Sequence, residues 1–170
     1  LRDELMDAHC SGSSVIVGNS ASPTGNHLHA LNILLREGQE RDIIIPLSYG
    51  HPNYRDYLLK EIAQLDLPEI KPLLEFMPLP EYNRLLTRCG NFVYANLRQE
   101  ALGNILIALY LGGKVFFDIR NPLYMYFKGL GIRIFSLEEI SVYNLDTPLP
   151  KENCETNRRI ILSEFNFEKL

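Results

Sequence analysis

Tryptophan is absent, and cysteine is scarce and badly spaced for metal: Cys10, Cys89 and Cys154 are the only three in 170 residues. An odd set without CxxC spacing implies neither a disulfide framework nor a zinc site, and it leaves reduced, intracellular thiols as the expectation. Positive charge is in deficit as well. Seventeen Lys and Arg against 21 Asp and Glu give a formal net charge of −4, so a general affinity for nucleic acid backbones is not expected and any basic site must be local. No charged-then-apolar leader opens the chain, and the longest apolar run, Ile105 to Leu111, is far too short to cross a bilayer. There is no solenoid-period repeat and no low-complexity tract. No GxxxxGK[ST] occurs, the first strand leads into "GNSAS" rather than GxGxxG, and the second ends "IIIPLSYG" without an Asp or Glu for a ribose. A P-loop is thereby excluded and a nicotinamide-dinucleotide site is disfavoured.

What is present is globular: 46% hydrophobic and 22% charged residues. Strand-like and helix-like runs alternate. "SSVIVGN", "RDIIIPLSYG", "KPLLEFM", "NFVYAN", "KVFFDI" and "IRIFS" read as strands. Between them "SPTGNHLHALNILLREG" places Leu28, Leu31, Leu34 and Leu35 at helical spacing, followed by "NYRDYLLKEIAQLD", "LPEYNRLLTRCG" with Pro80 in its first turn, "RQEALGNILIALYLG" and "NPLYMYFKGLG". "LEEI" adds a turn. Strict alternation with continuous apolar strands predicts an α/β domain built on a doubly wound parallel sheet of about six strands, covered on both faces. Residues 1–145 form that domain in this reading. Residues 146–170 are a polar, proline-containing tail that turns amphipathic at "IILSEFNFEKL", expected to be partly mobile or to pack back over the domain. The chain opens on Leu1 and runs quickly into a strand, which suggests half of a two-domain enzyme with its partner domain upstream.

Ligands of open α/β sheets bind beyond the carboxyl ends of the strands. The loops there are "GNSASPTGNH", "SYGHPNY", "FMPLPEY", "NLRQEALGN" and "DIRNPLY". Small polar loops after strands one and four, with Arg98 and Arg120 on the same rim, favour a phosphate or diphosphate. Ser20, Ser22 and Thr24 read equally well, one at a time, as helix caps. Gly103 in a first helical turn costs about 1 kcal/mol relative to Ala; close approach of a ligand or close helix–sheet packing would each account for it. His27 and His29, two apart on a helix, point to different faces and cannot share a metal ion, so they read as surface or capping residues. His51 on a rim loop is a better functional candidate, no stronger than a solvated histidine. Tyr49 and Tyr54 are the tyrosines placed at the rim.

Taken together, "VIVGNSASPTGNHLHAL", "IIIPLSYGHPNY", "LLEFMPLPEYNRLL", "RQEALGNILIALYLGGKVFF" and "NPLYMYFKGLGIRIFS" resemble the TDP-N-acetylfucosamine:lipid II N-acetylfucosaminyltransferases, over about residues 14–137. That bacterial family has the two-domain GT-B architecture, and the chain is similar to its C-terminal, Rossmann-like, nucleotide-sugar-binding half. The resemblance implies transfer of an acetamido-deoxyhexose from a nucleoside diphosphate, TDP by expectation, to a polyprenyl-diphosphate-linked saccharide. It places the donor diphosphate against Ser20, Ser22, Arg98, Gln99, Gly103 and Asn104, and the nucleoside against Tyr49, Phe76, Met77 and Pro78. It implies no metal and no cofactor, since protein donors stabilise the leaving diphosphate. It also implies an N-terminal acceptor domain supplying the catalytic base, inactivity of this half alone, and a cytoplasmic place at the inner face of the plasma membrane. One departure stands out. Retaining GT-B enzymes often carry a second Glu beyond the first, and the position that Glu100 would pair with is Ala108. A GT-B-like sugar-nucleotide epimerase or hydrolase and a non-catalytic α/β interaction domain are the rival readings.

Overall fold

The computed structural model describes residues 8–38 and 40–165. Six strands form one sheet: β1 (Ser14–Val17), β2 (Ile43–Pro46), β3 (Ile70–Leu73), β4 (Cys89–Tyr94), β5 (Lys114–Phe117) and β6 (Phe135–Ser136). Their order is β3-β2-β1-β4-β5-β6, and every adjacent pair is parallel. The order reverses between β1 and β4, which is where such sheets open a crevice at their carboxyl edge.

Successive strand residues point to opposite faces, and both faces are apolar. Ile16, Phe92, Tyr94, Val115 and Phe117 pack under α3 (Leu79–Arg88), α4 (Leu102–Tyr110), α5 (Pro122–Gly129) and α7 (Lys151–Glu164). Their neighbours Val15, Val17, Val93 and Phe116 pack under α1 (His27–Arg36), α2 (Pro52–Leu65) and α6 (Val142–Asp146). The sheet is therefore doubly wound.

The tail, through residue 165, packs back over the domain, one of the two outcomes expected of it, and differs only in detail. The polar run from Lys151 is itself helical, and α7 lies against α4. Ile161 is fully buried, and Asn157 grips the Arg133 backbone through both amide atoms at 2.7 and 3.0 Å. The short helix α6, capped by the Ser141 hydroxyl on the Asn144 N–H, was not expected. No helix among the described residues is long and apolar enough to cross a membrane.

Candidate functional site

Because all strands are parallel, the loops after β1, β2, β3, β4 and β5 share one edge. The loop after β1 is bound to its neighbours by specific bonds. Gly18 N–H donates to the Val93 carbonyl at 2.9 Å, Asn26 Nδ2 to the Ala95 carbonyl at 2.9 Å, and the Thr24 hydroxyl to the Glu100 carboxylate. Towards β2, the Ala21 and His51 N–H groups close a bridge to the Tyr49 and Ala21 carbonyls, both at 2.8 Å.

Ser20, Ser22 and Thr24 do not cap a helix through their side chains. Ser22 pairs with Thr24 at 2.6 Å, and Asn26, in left-handed conformation, precedes α1 without a side-chain cap bond. Their hydroxyls and amide serve the loop. Ser20 is buried at the loop's base.

The loop after β4 is held by its backbone. Asn96 Nδ2 donates to the Arg98 carbonyl at 2.6 Å; Asn121 Nδ2 donates to the same carbonyl at 3.1 Å and to that of Asn96 at 2.9 Å. Asn121 is fully buried and also caps α5 through Oδ1. The Arg98 side chain, by contrast, is exposed and enters no ion pair or hydrogen bond among the described residues; Gln99 is exposed beside it. A fixed main chain thus presents a solvent-exposed guanidinium without a partner among the described residues. Helix α4 starts two residues after Glu100, and the residue before it, Ala101, is left-handed and offers no side-chain cap. The first-turn N–H groups around Gly103 and Asn104 thus lack a side-chain partner, at the end where the helix dipole is positive.

Arg120 does not join this rim cation. Its Nε and Nη2 hold the Asp118 carboxylate at 2.9 and 2.7 Å, and the pairing keeps that carboxyl below its ordinary range. Asp118 and Glu100 are therefore both engaged.

A cavity of about 170 Å³ lies beside α4, lined by Asn19, Pro46, Ser48, Tyr49, Leu73, Phe76, Met77, Leu79, Tyr82 and Asn104. Of the expected nucleoside residues, Tyr49, Phe76 and Met77 are in its wall and Pro78 is not; of the diphosphate set only Asn104 reaches it. Ser20, Ser22, Arg98, Gln99 and Gly103 lie outside the wall. Asn19, Ser48, Leu79 and Tyr82 were missed. Burial pushes the Tyr82 phenol up, so it stays protonated as a donor. Asn19 Nδ2 donates to the Tyr49 hydroxyl at 3.0 Å. The lining is mainly apolar, carries no ionised group, and leaves Phe76 81% exposed at the mouth.

His27 overturns its surface reading. It is fully buried at the first residue of α1, with Nδ1 3.0 Å from the Tyr54 hydroxyl and Nε2 lacking a partner among the described residues. Burial lowers its pKa to about 4, opposed in part by the Ser20 backbone. His29 is exposed, as is His51. The sign of the linkage follows. His27 is neutral in the folded chain, whereas the unfolded chain takes up its proton near the ordinary value of 6.5. Stability should hence be full above that pH and fall by about 3 kcal/mol as pH drops from 6.5 towards 4. Urea unfolding at the two ends of that window should show the loss in the wild type and not in His27→Gln; equal losses in both would place the titration elsewhere.

Residues 3–146 match the family described as 4-alpha-L-fucosyltransferase, glycosyl transferase group 56. Among solved structures, a glycosyltransferase from Rickettsia africae superposes with a TM-score of 0.73 at 17% identity, over 97% of this chain and 46% of that one. HepE from Anabaena, solved in complex with UDP-glucose, gives 0.67 at 16%, over 99% and 48%. The catalytic domain of the Helicobacter pylori cholesterol-alpha-glucosyltransferase gives 0.62 at 15%, over 89% and 98%. These likenesses establish the fold, of GT-B type, and the chain spans about half the length of the first two.

Proposed function

Because the chain belongs to the 4-alpha-L-fucosyltransferase family, glycosyl transferase group 56, we propose that it is the donor-binding part of a GT-B glycosyltransferase whose donor is a TDP-linked acetamido-deoxyhexose. One observation carries this reading: a helix N-terminus without a side-chain cap follows Arg98, which has no partner among the described residues, and Asn104 of that first turn also lines an apolar cavity. The cavity takes the base and the turn takes the diphosphate. Arg98, Gln99 and the N–H groups near Gly103 and Asn104 bind the phosphates and stabilise the charge that grows on the leaving diphosphate as the glycosidic bond breaks. Ser20 and Ser22, on the loop after β1 and outside the cavity wall, complete the diphosphate contacts in this reading. Glu100 and Asp118 are both engaged by neighbours, which fits an acceptor proton taken by a base of the other domain, as the family resemblance implies.

The choice of TDP rests on what lines the cavity. Leu73, Met77, Leu79 and Pro46 suit a thymine methyl, and no carboxylate is present to hold a ribose 2′-hydroxyl. The acceptor in this proposal is a polyprenyl-diphosphate-linked saccharide, reached by a protein lying on the membrane without crossing it. Calorimetric titration tests the donor. TDP should bind about fourfold more tightly than UDP, the worth of one buried methyl. Equal or reversed affinities would refute the thymidine assignment, and no binding of either would refute the site.

A further inference from the structure

The opposite edge of the sheet holds a second cavity, of about 90 Å³, between the amino ends of β4 and β5 and the segment that follows α6. Lys114, the first residue of β5, lines it. Only 4% of this lysine is exposed, yet none of the ion pairs or hydrogen bonds among the described residues involves its ammonium. Its Nζ lies 5.7 Å from the centroid of the Phe135 ring. Across the ladder its partner is Asn91, whose Nδ2 donates to the Ser13 and Leu145 carbonyls while Oδ1 is buried without a partner among the described residues.

The charges that face this cavity can be counted. Asp146, in the wall, pairs at 2.8 Å with Arg41, outside it, which leaves Lys114 without an ion-pair partner among the described residues. Burial lowers the Lys114 pKa, and Arg41 adds to that effect while Asp146 opposes it. The other titratable groups in the wall are His9, Cys10 and Cys154; burial pushes both thiols up, so they bring no negative charge. An isolated buried ammonium is costly unless a counter-charge completes it.

We propose that this cavity is a site for a small oxyanion, of phosphate or carboxylate type, bound by the Lys114 ammonium. An ammonium has three N–H donors. One can turn to Asn91 Oδ1, and two remain for the anion. The Thr147 hydroxyl, which also lines the cavity and forms no side-chain hydrogen bond among the described residues, supplies a further donor. The space is ample for more than one water and of the size of a small ion. The site lies at the far edge from the donor crevice, so it is independent of the donor assignment.

Thermal unfolding of the chain in chloride buffer, with and without inorganic phosphate, tests it; acetate in a parallel arm separates a carboxylate from a phosphate as the preferred group. Wild type and Arg98→Ala should both gain melting temperature from the anion. Lys114→Met should gain clearly less than wild type, should bind phosphate at this cavity at least about tenfold more weakly, and should start from an equal or higher melting temperature because a buried charge without a partner among the described residues is gone. Phosphate stabilising Lys114→Met as much as wild type, or neither anion stabilising wild type, would overturn the proposal. Loss of the effect in Arg98→Ala alone would assign the anion to the donor crevice and overturn it as well. If Lys114→Met does not fold, the 15N signal of the wild-type Lys114 ammonium must shift on adding the anion; a signal that stays in place is equally fatal.

Discussion

Replacing Arg98 by Ala should lower the affinity for a nucleoside diphosphate by roughly tenfold to a hundredfold, because a hydrogen bond to a charged group contributes about 1.5–3 kcal/mol. The melting temperature should barely move. The side chain is exposed and unpaired among the described residues, and the loop conformation is held by bonds to the Arg98 carbonyl from Asn96 and Asn121. Those bonds survive the substitution. Separation of the two effects is the signature: calorimetry should report weaker binding while unfolding is unchanged. Gly103→Val should also weaken binding through the first turn of α4, and its stability will show whether packing or ligand approach selected the glycine. Unchanged affinity in both variants would remove the diphosphate from this turn.

The second large effect concerns Gly18, at the end of β1. Its φ is +68°, and an added Cβ would sit 2.7 Å from Nε2 of the buried His27. A left-handed residue with a side chain costs about 1–2 kcal/mol, and overpacking adds about 1–3 kcal/mol. Gly18→Ala should therefore destabilise by about 3 kcal/mol, a large part of the stability of an ordinary domain. Gly25 confines the same imidazole from the other side, where a Cβ would meet Cε1 at 2.5 Å, so the ring has no room to retreat. The loop that carries Asn19 and Ser20 would shift, and donor binding should weaken too. A double-mutant cycle isolates the steric part: Gly18→Ala should cost clearly less in a His27→Ala background. Full additivity would show that the two do not touch.

Much of this architecture was legible in the chain itself. Six β-rich runs alternating with helical ones are hard to fold any other way, and β1 to β5 appear where their apolar runs predicted. Boundaries moved where pairing was shorter than the apolar run: β6 starts only at Phe135, and β3 stops at Leu73, which frees Phe76 and Met77 for the cavity mouth. His27 was misplaced for an instructive reason. The leucines at 28, 31, 34 and 35 drew the apolar stripe one residue off, whereas the buried face is His27, Ala30, Leu31 and Leu34, spaced i, i+3, i+4, i+7. The periodicity held the signal, but a polar residue at a helix start does not announce burial.

The site was legible in part. Arg98 and Gly103 stood out because a cation beside a glycine is more than a helix cap requires, although close packing accounts for the glycine equally well. Arg120 looked alike in sequence, and only the structure shows it spent on Asp118. Tyr82 and Leu79 gave no signal, since a helix residue lining a cavity is indistinguishable in sequence from one lining the core. Asn26 and Asn121 act through backbone carbonyls far along the chain, contacts that no local pattern encodes.

The most direct test of the donor assignment is a structure of the chain with TDP bound. The base should occupy the cavity between Tyr49, Met77 and Tyr82, with the phosphates within hydrogen-bond distance of the N–H groups at the start of α4 and of the Arg98 guanidinium. TDP lodged away from that edge, or phosphates turned away from α4 with Arg98 still unpaired, would contradict it.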